Sequence, residues 1–166
     1  MKIIKYIFLL ILLALVGISV YIATQSGDYT VKRSTYIKVP KEIVFNYVND
    51  YRNWDQWLDL DADPSDIQFN FSENTIGQEG SFSWTNGNQN GKFESLFVKE
   101  NDSISQKLII DDNTSMSSLT LKDSIGGTKL DWTVTGTADF TTKIKAAFQG
   151  GIVMLKAKMF QNSLNN

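Results

Sequence analysis

Residues 29–49, YTVKRSTYIKVPKEIVFNYVN, change their period at a proline. From Tyr29 to Val39 apolar and polar side chains alternate, with Val31, Ile37 and Val39 on one face and Lys32, Ser34 and Lys38 on the other, as in a half-buried strand. Pro40 suits the first turn of a helix, where its missing N–H costs nothing. Ile43, Val44, Tyr47 and Val48 then recur at helical spacing over Lys41 to Asn49, and a second short helix is predicted over Asn53 to Leu58, with Trp54 and Trp57 three apart on one side. Strand, proline and helix in this order open a mixed fold. The residues beyond 66 decide its kind.

After an Asp-rich loop the period returns to two. Strands are predicted at Ile67–Ser72, Gly80–Thr85, Lys92–Glu100, Ser103–Ile110, Met116–Asp123 and Gly127–Gly136, separated by Asn- and Gly-rich hairpin turns. From Thr141 the helical period resumes, with Ile144, Phe148, Ile152, Leu155 and Met159 in one stripe and Gly150-Gly151 as a kink or break. Consecutive hairpins imply an antiparallel sheet, and the striped helix has the sheet's concave face to cover. The fold class is α+β, a long C-terminal helix laid in a curved antiparallel sheet.

Ahead of this domain, Tyr6 to Thr24 runs for 19 residues without a charge, after Lys2 and Lys5. As a helix it reaches about 28 Å, close to the roughly 30 Å of a bilayer's hydrocarbon core. An uncleaved anchor and a signal peptide both fit. The length of the run, and a best cleavage site no better than Thr24-Gln25-Ser26, favour the anchor. Residues 1–28 are therefore read as a membrane anchor with a transmembrane helix over about 6–24, and residues 29–166 as the domain. Lysines directly before the apolar run place the N-terminus in the cytoplasm and the domain on the outer side of a single-pass cell-membrane protein.

The chain of 166 residues contains neither Cys nor His, which removes disulfides, thiolate chemistry, His-ligated zinc and the Ser-His-Asp triad. A net charge of −2 with only Arg33 and Arg52 as arginines argues against a nucleic-acid partner. Asp59-x-Asp61-x-Asp63 imitates the start of a calcium loop but has Pro64 where glycine is needed and Asn70 where a bidentate glutamate belongs. No metal or cofactor is implied.

The run Val31 to Phe45, followed by Asn49-Asp50 and the pair Trp54-x-x-Trp57, resembles the opening of the SRPBCC superfamily, the START-like group that includes polyketide cyclases and lipid carriers. Gly77 to Gly80, Trp84, the hairpin to Gly91 and Thr128 to Trp132 are similar too, so the resemblance covers essentially all of 29–166. It implies a helix-grip fold with a cavity between sheet and helix. The implied function is binding or transport of a hydrophobic small molecule or lipid, tethered to a membrane. A cyclase- or dehydratase-like enzyme, and a sensing or partner-binding module without catalysis, remain open.

By strand parity Phe69, Phe71, Phe82, Trp84, Leu108, Met116 and Trp132 point inward, joined from the helix by Phe148, Ile152 and Leu155. They either line a cavity or fill the core, and only the resemblance favours the cavity. Trp54 and Trp57 either lid its mouth or pack the short helix on the sheet. Tyr47 offers a hydroxyl to it. The last 27 residues carry Lys143, Lys145, Lys156 and Lys158 and no acid, which suits either anionic lipid headgroups or ordinary solvation.

Overall fold

The computed structural model describes residues 2–60, 62–87, 89–148, 151–153, 160 and 162–164. Seven strands form one antiparallel sheet: β1 (Asp28–Ile37), β2 (Ile67–Phe71), β3 (Ser81–Asn86), β4 (Gln89–Lys99), β5 (Ser103–Ile110), β6 (Asn113–Ser124) and β7 (Gly127–Thr137). Their order across the sheet is β1-β7-β6-β5-β4-β3-β2, so hairpins build it from β2 to β7 and the first strand closes the far edge. β1 pairs with β7 from Asp28↔Thr137 to Ile37↔Thr128. Helices α1 (Lys2–Thr24), α2 (Lys41–Asn49) and α3 (Phe140–Phe148) complete the named elements, and helical backbone is seen again at 152–153, 160 and 162–164.

α1 is long and apolar enough to cross a membrane, and its apolar window is wholly exposed. Three residues, Gln25 to Gly27, join it to β1. α2 starts at Pro40, whose carbonyl accepts from the Ile43 and Val44 amides, and it buries Val44, Phe45 and Val48. The short helix expected over Asn53 to Leu58 is a 3-10 helix at Tyr51–Gln56, capped by the Asp50 carboxylate on the Arg52 amide. Asp63, in the acidic loop, caps a 3-10 turn at Pro64–Asp66 in the same way.

Alternation places every second strand residue on the inner, concave face. A bulge between Ser95 and Phe97 resets the phase of β4, so that Leu96 and Phe97 are both exposed. In β6 the inward residues are Ser115, Ser117, Leu119 and Leu121. Met116 therefore faces outward, 47% exposed, contrary to its expected inward parity: the phase is set by the buried Leu119 and Leu121, which share the inner face with Ser115 and Ser117. The closing helix also departs from its predicted stripe at the start, because α3 buries Ala146 and leaves Ile144 half-buried. The expected interruption is present at Gly151, whose φ of 103° is open to glycine and strained for other residues.

Candidate functional site

The inner face is divided into a filled part and an open part. Under β3 to β7 the interior is packed with aromatic rings. Trp54, 0% exposed, lies 4.6 Å from Trp57, 4.8 Å from Phe93 and 5.9 Å from Trp132 between ring centres. Phe82 stacks on Phe93 at 5.7 Å, and Phe160 closes edge-on over Trp132 at 4.8 Å. Such tilted and offset contacts add to the large area each ring buries. Trp84 lies flat against the sheet where β4 has Gly91; a Cβ there would come within 1.9 Å of the indole, so the glycine makes room for the ring.

A line of polar groups runs through this apolar packing. Ser95, Gln106 and Ser117 face one another in one row across β4, β5 and β6. Trp132 Nε1 donates to Ser117 Oγ at 2.8 Å, Ser117 to Gln106 Oε1 at 3.1 Å, and Gln106 Nε2 to Tyr51 Oη at 2.9 Å, with Ser95 Oγ 2.8 Å beyond. All five side chains are buried. Burial pushes the Tyr51 phenol up to about 12, against the opposing effect of its hydrogen bonds with Ser95 and Gln106. Each group finds its partner within the line, so the line ties the 3-10 helix to the four strands β4 to β7.

The open part lies at one corner, where the end of β1 and the strand-to-helix turn face α2, Ser163 and Leu164. A cleft of about 680 Å³ opens there. Ile37, Val39, Val44, Val48, Leu130 and Leu164 supply apolar wall, Trp57 an aromatic one, and Ile43 stands at the rim, 59% exposed. Its polar groups are few: Tyr36, Lys38, Tyr47, Gln56 and Ser163 with Thr35. Tyr47 Oη donates to Gln56 Oε1 at 3.0 Å, which orients both at the mouth. Ser163 Oγ accepts from the Asp59 amide at 2.8 Å, holding Ser163 against the start of the acidic loop. Predominantly apolar walls with a few oriented polar groups are what small-molecule sites offer.

Of the residues singled out from sequence, Tyr47 and Trp57 line this cleft. Trp54, Phe82, Trp84, Leu108 and Trp132 are buried in the packed interior, at most 1% exposed. Phe69 is half-buried and Phe71 exposed on the edge strand β2, their rings 6.4 Å apart and flanking Phe82. Ile152 packs on the core. Met116 borders a second, shallower groove on the far side, with Tyr29 and Thr135. The side chain of Phe148 and all of Leu155 lie outside the described residues. Sequence reasoning did not bring Ile43, Val44, Val48, Leu130 and Leu164 to the site; the helical spacing of Ile43, Val44, Tyr47 and Val48 on α2 was the available signal. Among the described residues no group of three or more acidic side chains is placed to hold a metal ion.

This architecture, a curved seven-stranded antiparallel sheet with a helix after its last strand, is the helix-grip fold. Protein CV1439 from Chromobacterium violaceum superposes with a TM-score of 0.58 at 16% identity, over 82% of this chain and 92% of the other. Protein Ms6760 from Mycobacterium smegmatis gives 0.58 at 15% identity, over 82% and 86%. Ara h 8.0201 gives 0.51 at 15% identity, over 75% and 92%. No protein-family model matches the sequence, and no curated protein does.

Proposed function

We propose that this protein binds a hydrophobic small molecule or lipid in the cleft between β1 and α2 and is held at a membrane by α1. The cleft carries the reading: about 680 Å³ of largely apolar wall, open at a rim where Tyr47 and Gln56 hold a polar pair. That size suits a ligand of drug or fatty-acyl dimensions. The helix-grip fold is compatible with it and decides nothing further.

In this reading residues 1–28 are the anchor and 29–166 the binding domain, with the N-terminus cytoplasmic and the domain on the outer side. β1 carries the chain roughly 30 Å from the anchor to the cleft at about 3.3 Å per residue. A tether of three residues keeps the cleft within a few nanometres of the bilayer, where an apolar ligand is concentrated.

No residue of α1 belongs to the hydrophobic core, so residues 28–166 keep that core intact without it. The test is to purify 28–166 from a lipid-containing host and analyse an organic extract by mass spectrometry. A stoichiometric apolar compound is expected. Its absence would sink the carrier reading, and chemical conversion of the compound on incubation would establish an enzyme instead.

A further inference from the structure

We infer that α3 is a second membrane contact, its outer face lying on the anionic headgroup surface of the bilayer that α1 crosses; this rests on reading α1 as an anchor. The position comes first. α3 packs beside the end of α1, at the level where that helix leaves the bilayer. The Ala138 amide donates to the Gly27 carbonyl at 2.8 Å, and Lys143 Nζ donates to the Gln25 carbonyl at 2.5 Å. A cation there meets the negative end of α1 and a carbonyl just beyond its last turn. Gly27 has no room for a side chain, since a Cβ would lie 2.5 Å from Ala138 O, so the two segments approach as closely as backbone allows. With three residues between α1 and β1, α3 cannot swing far from the membrane surface.

The chemistry agrees with the position. By helical spacing Phe140, Thr141, Ile144 and Lys145 share one face, opposite the buried Ala146. Phe140 is 45% exposed and Ile144 half-buried, although neither has an evident reason to face water. Phe140 to Phe148 contains Lys143 and Lys145 and no acid, and the sequence to residue 166 adds two more lysines and still no acid. Apolar residues on one face with flanking lysines suit a helix lying in the headgroup region. The contact continues the surface that the anchor makes, and its charge is opposite to that of the lipid.

The chain has no cysteine, so a single introduced thiol is a unique labelling site. Full-length Thr141→Cys and Ile125→Cys, the latter 98% exposed in the β6–β7 turn at the far end of β1, would each carry a fluorophore. They would be placed in vesicles of phosphatidylcholine with or without phosphatidylglycerol and titrated with a water-soluble quencher. Quenching at position 141 is expected to be several-fold weaker than at 125, more so with phosphatidylglycerol, and to recover when Phe140→Ser and Lys145→Glu are added. Equal quenching at the two positions, in protein that still resists alkaline extraction, would overturn the α3 contact alone. Protection indifferent to phosphatidylglycerol would overturn its electrostatic basis. Release of the full-length chain by alkali would remove the anchor and this inference together.

Discussion

The sheet's inner face has been used in two ways. Under β3 to β7 it is filled by Trp54, Trp84, Phe82, Phe93 and Trp132 and stitched by a closed hydrogen-bond line. Under the β1–α2 corner it stops short of filling, and a cleft remains. Most of the aromatic residues that look like ligand-binding groups thus lie in the packed region, while smaller aliphatic residues of α2 and β1, with Tyr47 and Trp57, shape the cleft. A ligand entering the first region would have to displace close-packed rings; one entering the second meets space that the side chains leave open.

The sharpest way to break this comparison is Trp132→Ala. It removes a ring 1% exposed and deprives Ser117 of its donor, so a loss of about 3–5 kcal/mol in unfolding free energy by urea titration is expected. A loss below about 1 kcal/mol would mean the interior is not packed as described.

Next comes alkaline pH. An unfolded tyrosine ionises near its ordinary value of 10.0, whereas Tyr51 in the fold holds its proton to about 12. Between these values the unfolded chain binds fewer protons, so stability falls as pH rises through 10 and the fall flattens above 12. The total is about 3 kcal/mol, and Tyr51→Phe should lack this contribution in a urea-denaturation series across that range.

Ser117→Ala should cost about 1–3 kcal/mol, because it leaves Trp132 Nε1 and Gln106 Oε1 buried without partners. A cost near zero would show that water or a neighbour replaces the hydroxyl.

Ile43→Trp should change stability least, by about 0.5 kcal/mol or less, since the residue is 59% exposed. By placing an indole at the rim of the cleft it should reduce co-purified ligand about tenfold, roughly 1.4 kcal/mol of binding. Unchanged ligand occupancy would move the site elsewhere.

Much of the architecture was legible in the sequence because period two and period 3.6 are hard to confuse over long segments. α2 at Lys41–Asn49 and β5 at Ser103–Ile110 coincide with their predicted bounds. Met116 was misplaced because the polar residues in β6 occupy the inner face, so the usual equation of serine with solvent gave the wrong phase. The same equation hid the buried line, although Gln106 between Ile104 and Leu108 is a polar residue on an apolar face and could have been noticed. The 3-10 form of Tyr51–Gln56 follows from Asp50 capping and from Trp54 Nε1 reaching back to the Val48 carbonyl at 2.9 Å, contacts that local spacing does not encode. The cleft was least legible. It is a gap between the strand-to-helix turn, α2 and residues near 164, which are distant in sequence.

The division of the inner face is tested most directly by a crystal structure of residues 28–166 purified with its co-extracted ligand. Density for an apolar molecule against Ile37, Val44, Val48 and Trp57, with the rings of Phe82, Phe93 and Trp132 undisturbed, is the expected result. Density among those rings, with their packing opened, would contradict it.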